Sequence, residues 1–184
     1  GFAGSLRKES FNRKLLKIAQ GLLPENTTFE LFDLIDIPLF NEDVEAGGLP
    51  YAVDAYRNAI QNADALLIAS PEYNASVTGA LKNAIDWASR PPAQPLYGKP
   101  VAIIGASTGN FGTLRAQLHL RQILTHVGAL TLPKPEVLVA RAGQAFAPDG
   151  ELIDETAKGF LRDLLNALAD WTQRLSVDLP VATR

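Results

Sequence analysis

Three short stretches hold residues whose types and spacing could do chemistry: GSLRKESFN from Gly4, SPEYNAS from Ser70 and GASTGNFG from Gly105. In the first, Gly4 permits a tight turn, Ser5, Ser10 and Asn12 bring hydrogen-bond donors, and Arg7 supplies positive charge. If a helix begins there, its unpaired amides and dipole favour a phosphate, the dipole contributing roughly 0.3–1 kcal/mol and charge-assisted bonds more. The same residues also read as a Ser-capped helix with Arg7 in solvent. In the second stretch, Pro71 and Tyr73 offer rigid or flat surfaces, and Glu72, Asn74 and the backbone amides offer polar contacts for a heteroaromatic ring. It equally reads as a turn whose Asn74 and Ser76 cap the next helix. In the third, Gly105, Gly109 and Gly112 permit close backbone approach, and Ser107, Thr108 and Asn110 can donate or accept. That composition suits a floor under a flat ring, or an ordinary flexible loop.

Such loops need rigid elements to hold them, and the hydrophobic pattern supplies these. Residues 1–3 read as the tail of a strand whose start is expected to be missing from this sequence. Residues 10–23 carry Phe11, Leu15, Ile18, Ala19 and Leu22 on one helical face, and Pro24 ends that helix. A strand over residues 28–34 follows, then a long loop, IDIPLFNEDVEAGGLP, whose length suggests function. A helix turns Val53, Tyr56, Ile60 and Ala63 inward. Short apolar runs at 65–69 and 101–105 predict strands buried on both faces, and 137–140 a last strand; helices follow at 79–89, 113–127 and 155–175. Strand and helix thus alternate, which predicts an α/β doubly wound, five-stranded parallel sheet with helices on both faces, in the flavodoxin-like order 2-1-3-4-5. In that order the three stretches follow adjacent strands and meet at the carboxyl edge of the sheet, where such folds bind ligands.

Composition narrows the partners. The 184 residues fit one domain, residues 1–184, and a net charge of -3 with scattered Lys and Arg offers no basic stripe for nucleic acid. No stretch approaches the ~20 apolar residues of a membrane span. The chain has no cysteine, which removes disulfides and thiolate catalysis, and a cytoplasmic setting is the expectation. His119 and His126 have no third ligand nearby, so a solvated or interface role is expected of them and no metal site. A Rossmann site would need G-x-G-x-x-G, and only Gly1 and Gly4 precede the first helix; the P-loop pattern is absent too.

Together GSLRKESFN, IDIPLFNEDV, SPEYNASVTGALKNAIDWASRP and GKPVAIIGASTGNFGTLRAQLHLRQIL resemble the NAD(P)H-dependent FMN reductases of flavodoxin-like fold, with their chromate/quinone reductase branch and related azoreductases. The resemblance runs from Gly4 to about Trp171, and SPEYN followed by LKNAIDW is its most specific part. It implies an FMN phosphate on Ser5, Arg7, Ser10 and Asn12, the flavin ring against Pro71, Glu72, Tyr73 and Asn74, and an approach through Ser107. It further implies NADPH or NADH as co-substrate, a ping-pong cycle, a small-molecule acceptor (quinone, flavin, azo compound or chromate), and a homodimer or homotetramer. Thr78 stands where the family often has Pro, and Thr113 where it often has Gly. The rival is a flavodoxin-type electron carrier that does not itself oxidise NAD(P)H. Arg7 in the phosphate loop and the small net charge argue against it.

Overall fold

The computed structural model describes residues 1–178. Its longest strand, β3 (Pro100–Ala106), pairs in parallel with β2 (Leu66–Ala69), which pairs on its far side with β1 (Phe2–Ala3). Beyond β3 lies an edge in two pieces: β4 (Leu130–Thr131) pairs with its start and β5 (Val137–Val139) with its end. The pattern at residues 137–140 located only the second piece. Between the pieces stand Pro133 and Pro135, which lack the N–H that a continuous ladder requires.

The strand expected over residues 28–34 is reduced to a single rung. Phe32 bridges Phe2 in parallel and its N–H donates to the Gly1 carbonyl at 2.9 Å. The reason is local: Asp33 leaves the ladder by accepting the Ile35 N–H and pairing with Arg13. The spatial order 2-1-3-4-5 survives, with the place of strand 2 held by Phe32 alone.

Alternation along the strands explains both layers. Ala3, Leu67, Ala69, Ala102 and Ile104 face α1 (Phe11–Gln20) and α7 (Glu155–Asp178), packing with Leu15, Leu16, Leu161 and Leu164. Phe2, Leu66, Ile68, Val101 and Ile103 face the other way, onto α3 (Tyr51–Asn62), α4 (Gly79–Ala88) and α5 (Leu114–His126) through Tyr56, Ile60, Leu81, Ile85, Leu120 and Leu124. Strands covered on both sides carry continuous apolar runs, as the sequence showed. Two short helices were not foreseen: α2 (Glu42–Ala46), inside the long loop and capped by Asn41, and α6 (Ala142–Ala145), after β5.

One glycine controls how closely α5 meets the sheet. A Cβ at Gly105 would overlap the Thr113 Oγ1 and come within 2.7 Å of the Ser70 carbonyl oxygen. Both neighbours are fully buried and cannot yield cheaply. Gly105→Ala is therefore expected to destabilise the fold by about 1–3 kcal/mol or more, read as a lowered urea midpoint.

Candidate active site

The three loops leave the carboxyl ends of β1, β2 and β3, and polar side chains tie them together there. Gly4 begins the first loop by donating its N–H to the Ala69 carbonyl at 2.9 Å. Its own carbonyl accepts from the Thr78 hydroxyl at 2.5 Å, while the same oxygen of Thr78 accepts the Leu81 N–H at 3.2 Å and so caps α4. A Cβ at Gly4 would lie 2.9 Å from Leu81 Cβ and 3.1 Å from Pro71 Cδ. Only glycine lets the first loop rest against the second this closely. Thr78, which stands where the family often has Pro, is a link between two loops. Its place before Gly79 could have signalled the cap; the bond to Gly4 could not be seen.

In the first loop Ser5 and Ser10 are buried and Arg7 is exposed. The Ser5 hydroxyl oxygen accepts the Arg7 N–H at 3.4 Å and that of Ser10 the Asn12 N–H at 3.2 Å, so each hydroxyl keeps its own proton to donate. Ser10 is thus the α1 N-cap, and the cap and the anion site are compatible readings. Among the described residues the Arg7 guanidinium hydrogen-bonds to the Glu9 carbonyl alone, at 3.0 Å, and it stands at the surface. Asn12 is placed differently. Its carboxamide donates to the Ala106 carbonyl at 2.8 Å and accepts the Ala106 N–H at 2.9 Å, binding the first loop to the end of β3.

In the second loop Pro71 is buried and Tyr73 half exposed. Tyr73 and Ser76 exchange backbone hydrogen bonds of 3.0 and 3.1 Å around Asn74 and Ala75, both left-handed, at φ 50° and 62°. This is the geometry of a type I′ turn, which asparagine tolerates and alanine does not prefer. Glu72 does not extend toward the first loop: its carboxylate accepts the N–H groups of Arg115 and Ala116 at 2.9 and 3.2 Å and pairs with the Arg115 guanidinium. A carboxylate on the first turn of α5 is well placed for the helix dipole. It leaves the backbone of the loop, with Tyr73 and Asn74, as the accessible part. His119 meets Ser76, Nδ1 to Oγ at 3.0 Å. Among the described residues no group of three or more acidic or histidine side chains could hold a metal ion.

In the third loop Ser107 donates its N–H to Val139 at 3.0 Å, and its hydroxyl oxygen accepts the Gly109 N–H, again leaving a proton to donate. Gly112, at φ 58°, lies against the backbone of Leu138. The donors therefore comprise three hydroxyls, one free guanidinium and a helix N-terminus, beside a rigid turn bearing an exposed tyrosine. That set fits a phosphate joined to a flat ring. A cleft of about 1000 Å³ lies elsewhere, at the amino edge of the sheet by Phe2, Leu66 and Pro100. None of the nine candidate residues lines it, and ligands of such sheets bind at the carboxyl edge.

Comparison with known proteins identifies the family. The model of the NADPH-dependent FMN reductase family matches residues 1–144, and the chain belongs to that family. It is an FMN-dependent NAD(P)H oxidoreductase, with FMN as cofactor and NAD(P)H as co-substrate. It is 53% identical over 175 residues to an NAD(P)H-dependent FMN reductase of Pseudomonas aeruginosa, covering 95% of each chain. It is 44% identical to the quinone reductase of Escherichia coli, covering 95% of this chain and 94% of that one. Among solved structures, the flavoenzyme NAD(P)H:(acceptor) oxidoreductase of Paracoccus denitrificans superposes with a TM-score of 0.85 at 40% identity, over 94% of this chain and 95% of that one.

The Thr78 link makes a direct prediction. Thr78→Val keeps the shape but strands the Gly4 carbonyl and uncaps α4, and is expected to cost about 1–3 kcal/mol in chemical denaturation. Thr78→Ser is expected to restore most of that loss.

Proposed function

We propose that the three-loop crevice is the FMN site of this oxidoreductase and that quinones are its favoured acceptors. The observation that carries the reading is the pair of buried hydroxyls, Ser5 and Ser10, each already accepting an amide and each with a proton left to donate at the start of α1. Ser5, Ser10 and Arg7 hold the phosphate, with Asn12 beside them. Pro71, Tyr73, Asn74 and the backbone of Glu72 line the ring, and Ser107 approaches it from the third loop. When bound, FMN supplies the redox chemistry, taking hydride from NAD(P)H and passing electrons to the acceptor in a ping-pong cycle. The protein's own part is to seat the phosphate, fix the ring against a rigid turn and leave one face open. No side chain is assigned as an acid or base.

A quinone is a flat, uncharged oxidant that suits an open face bordered by Tyr73, and the chain is 44% identical to the quinone reductase of E. coli. Chromate, azo compounds and free flavins are further acceptors of the same reading. The protein acts in the cytoplasm as a homodimer or homotetramer. Support for self-association comes from Leu39 in the long loop and Tyr51 at the start of α3, which are 82% and 89% exposed although the loop is fastened to α4 by Asn83 and Trp87. Among the described residues no helix is long and apolar enough to cross a membrane.

Anaerobic mixing tests the reading. Protein with bound FMN should bleach with NADPH or NADH and recover its colour on adding a quinone. Absence of flavin binding would sink the proposal, while binding without reduction by either nucleotide would favour the electron carrier. Arg7→Ala should weaken FMN binding by about 1.5–3 kcal/mol, roughly ten- to a hundredfold, in a fluorescence titration. Unchanged affinity would remove Arg7 from the phosphate site.

A further inference from the structure

We infer that Asn12 is a positioning residue that couples the phosphate loop to the third loop, which approaches the ring through Ser107, and not itself a ligand of the phosphate; the inference rests on the FMN reading above. Asn12 is only 4% exposed, and its polar groups are engaged within the protein. Its backbone N–H donates to Ser10 Oγ at 3.2 Å, and its carboxamide makes two reciprocal bonds with Ala106, at 2.8 and 2.9 Å. Ala106 is the last residue of β3, and β2 ends at Ala69, which pairs with Ile104. Residues of a strand turn their polar groups to alternate sides. Ser107 bonds to Val139 on one side, so those of Ala106 reach to the other, past the end of β2.

The Asn12 carboxamide, offering one donor and one acceptor side by side, completes the rung that β2 is too short to make. It therefore fixes Ala106, and through it the departure of the loop that begins at Ser107, from a residue in the first turn of α1. The phosphate end and the ring end of the site are held in one register by a single side chain. One Nδ2 hydrogen is left over, and a phosphate contact through it is the competing role.

Riboflavin, which lacks the phosphate, separates the two roles. Wild type, Asn12→Ala and Arg7→Ala are titrated with FMN and with riboflavin by flavin fluorescence. Asn12→Ala is expected to weaken both flavins by a similar factor, about tenfold, leaving the ratio of the two dissociation constants unchanged. Arg7→Ala is expected to weaken FMN alone. Loss of FMN affinity with riboflavin unaffected overturns the inference, as does a lowered melting temperature with both affinities unchanged. If Asn12→Ala does not fold, Asn12→Ser, which is uncharged and too short to make both bonds to Ala106, is held to the same ratio. Where riboflavin binds too weakly to titrate, the visible circular dichroism of bound FMN decides: it changes in the Asn12 variant if the third loop has moved and stays as in wild type if it has not. A wild-type protein that binds neither flavin removes the FMN reading itself.

Discussion

Where a parallel sheet stops, its last N–H and C=O groups lose the neighbouring strand that satisfied them, and a buried backbone group without a partner costs about 1–3 kcal/mol. In this chain β1 and β2 end level, Ala3 opposite Ala69, while β3 runs two residues past the Ile104 that pairs with Ala69, to Ala106. Two of these groups are closed by side chains from elsewhere in the chain, the Gly4 carbonyl by the Thr78 hydroxyl and Ala106 by the Asn12 carboxamide, while the Glu72 carboxylate caps the first amides of α5. Each bond joins segments that are distant in sequence. In the proposed cofactor site, the need to satisfy the sheet's end and the need for rigidity are met by the same residues.

That economy explains what the sequence could and could not disclose. Loops after buried apolar runs, rich in Gly, Ser and Asn, were legible because their composition is unlike the helices around them. Their convergence followed from strand order alone. The partners of individual side chains were not legible, because Asn12 and Ala106 are far apart in the chain and nothing local in either names the other. Glu72 was read as a ring contact from its place in the motif, yet a helix N-terminus offers a carboxylate a stronger local attraction than an open face does. The residues 28–34 were read as a full strand from their Phe and Leu content, whereas Asp33, bonded to Ile35 and Arg13, takes the chain out of the ladder just after Phe32.

The division of labour inside the site also follows. Groups aimed at neighbouring loops are those with two or more directional atoms: a carboxamide, a carboxylate, a threonine that donates and accepts. The groups left to meet a ligand are serine hydroxyls with one remaining proton, a guanidinium at the surface and a tyrosine ring. A scaffold assembled in this way presents its donors before any ligand arrives, so little ordering cost is left for binding. Chemistry that resides in a cofactor asks for that kind of protein, one that is rigid where it grips and open where the acceptor must come and go.

The interrupted edge beyond β3 carries a consequence of another kind. A sheet edge offers unpaired backbone groups that can recruit a strand from another molecule, and long, flat edges seed aggregates. Here the edge is broken into segments of two and three residues. Pro133 and Pro135 remove two donors between them, and Lys134 and Glu136 add charge at the break. Such an edge is a poor template. On this side the sheet is stopped by its own chain, and a strand from another molecule would find few backbone groups in register to pair with.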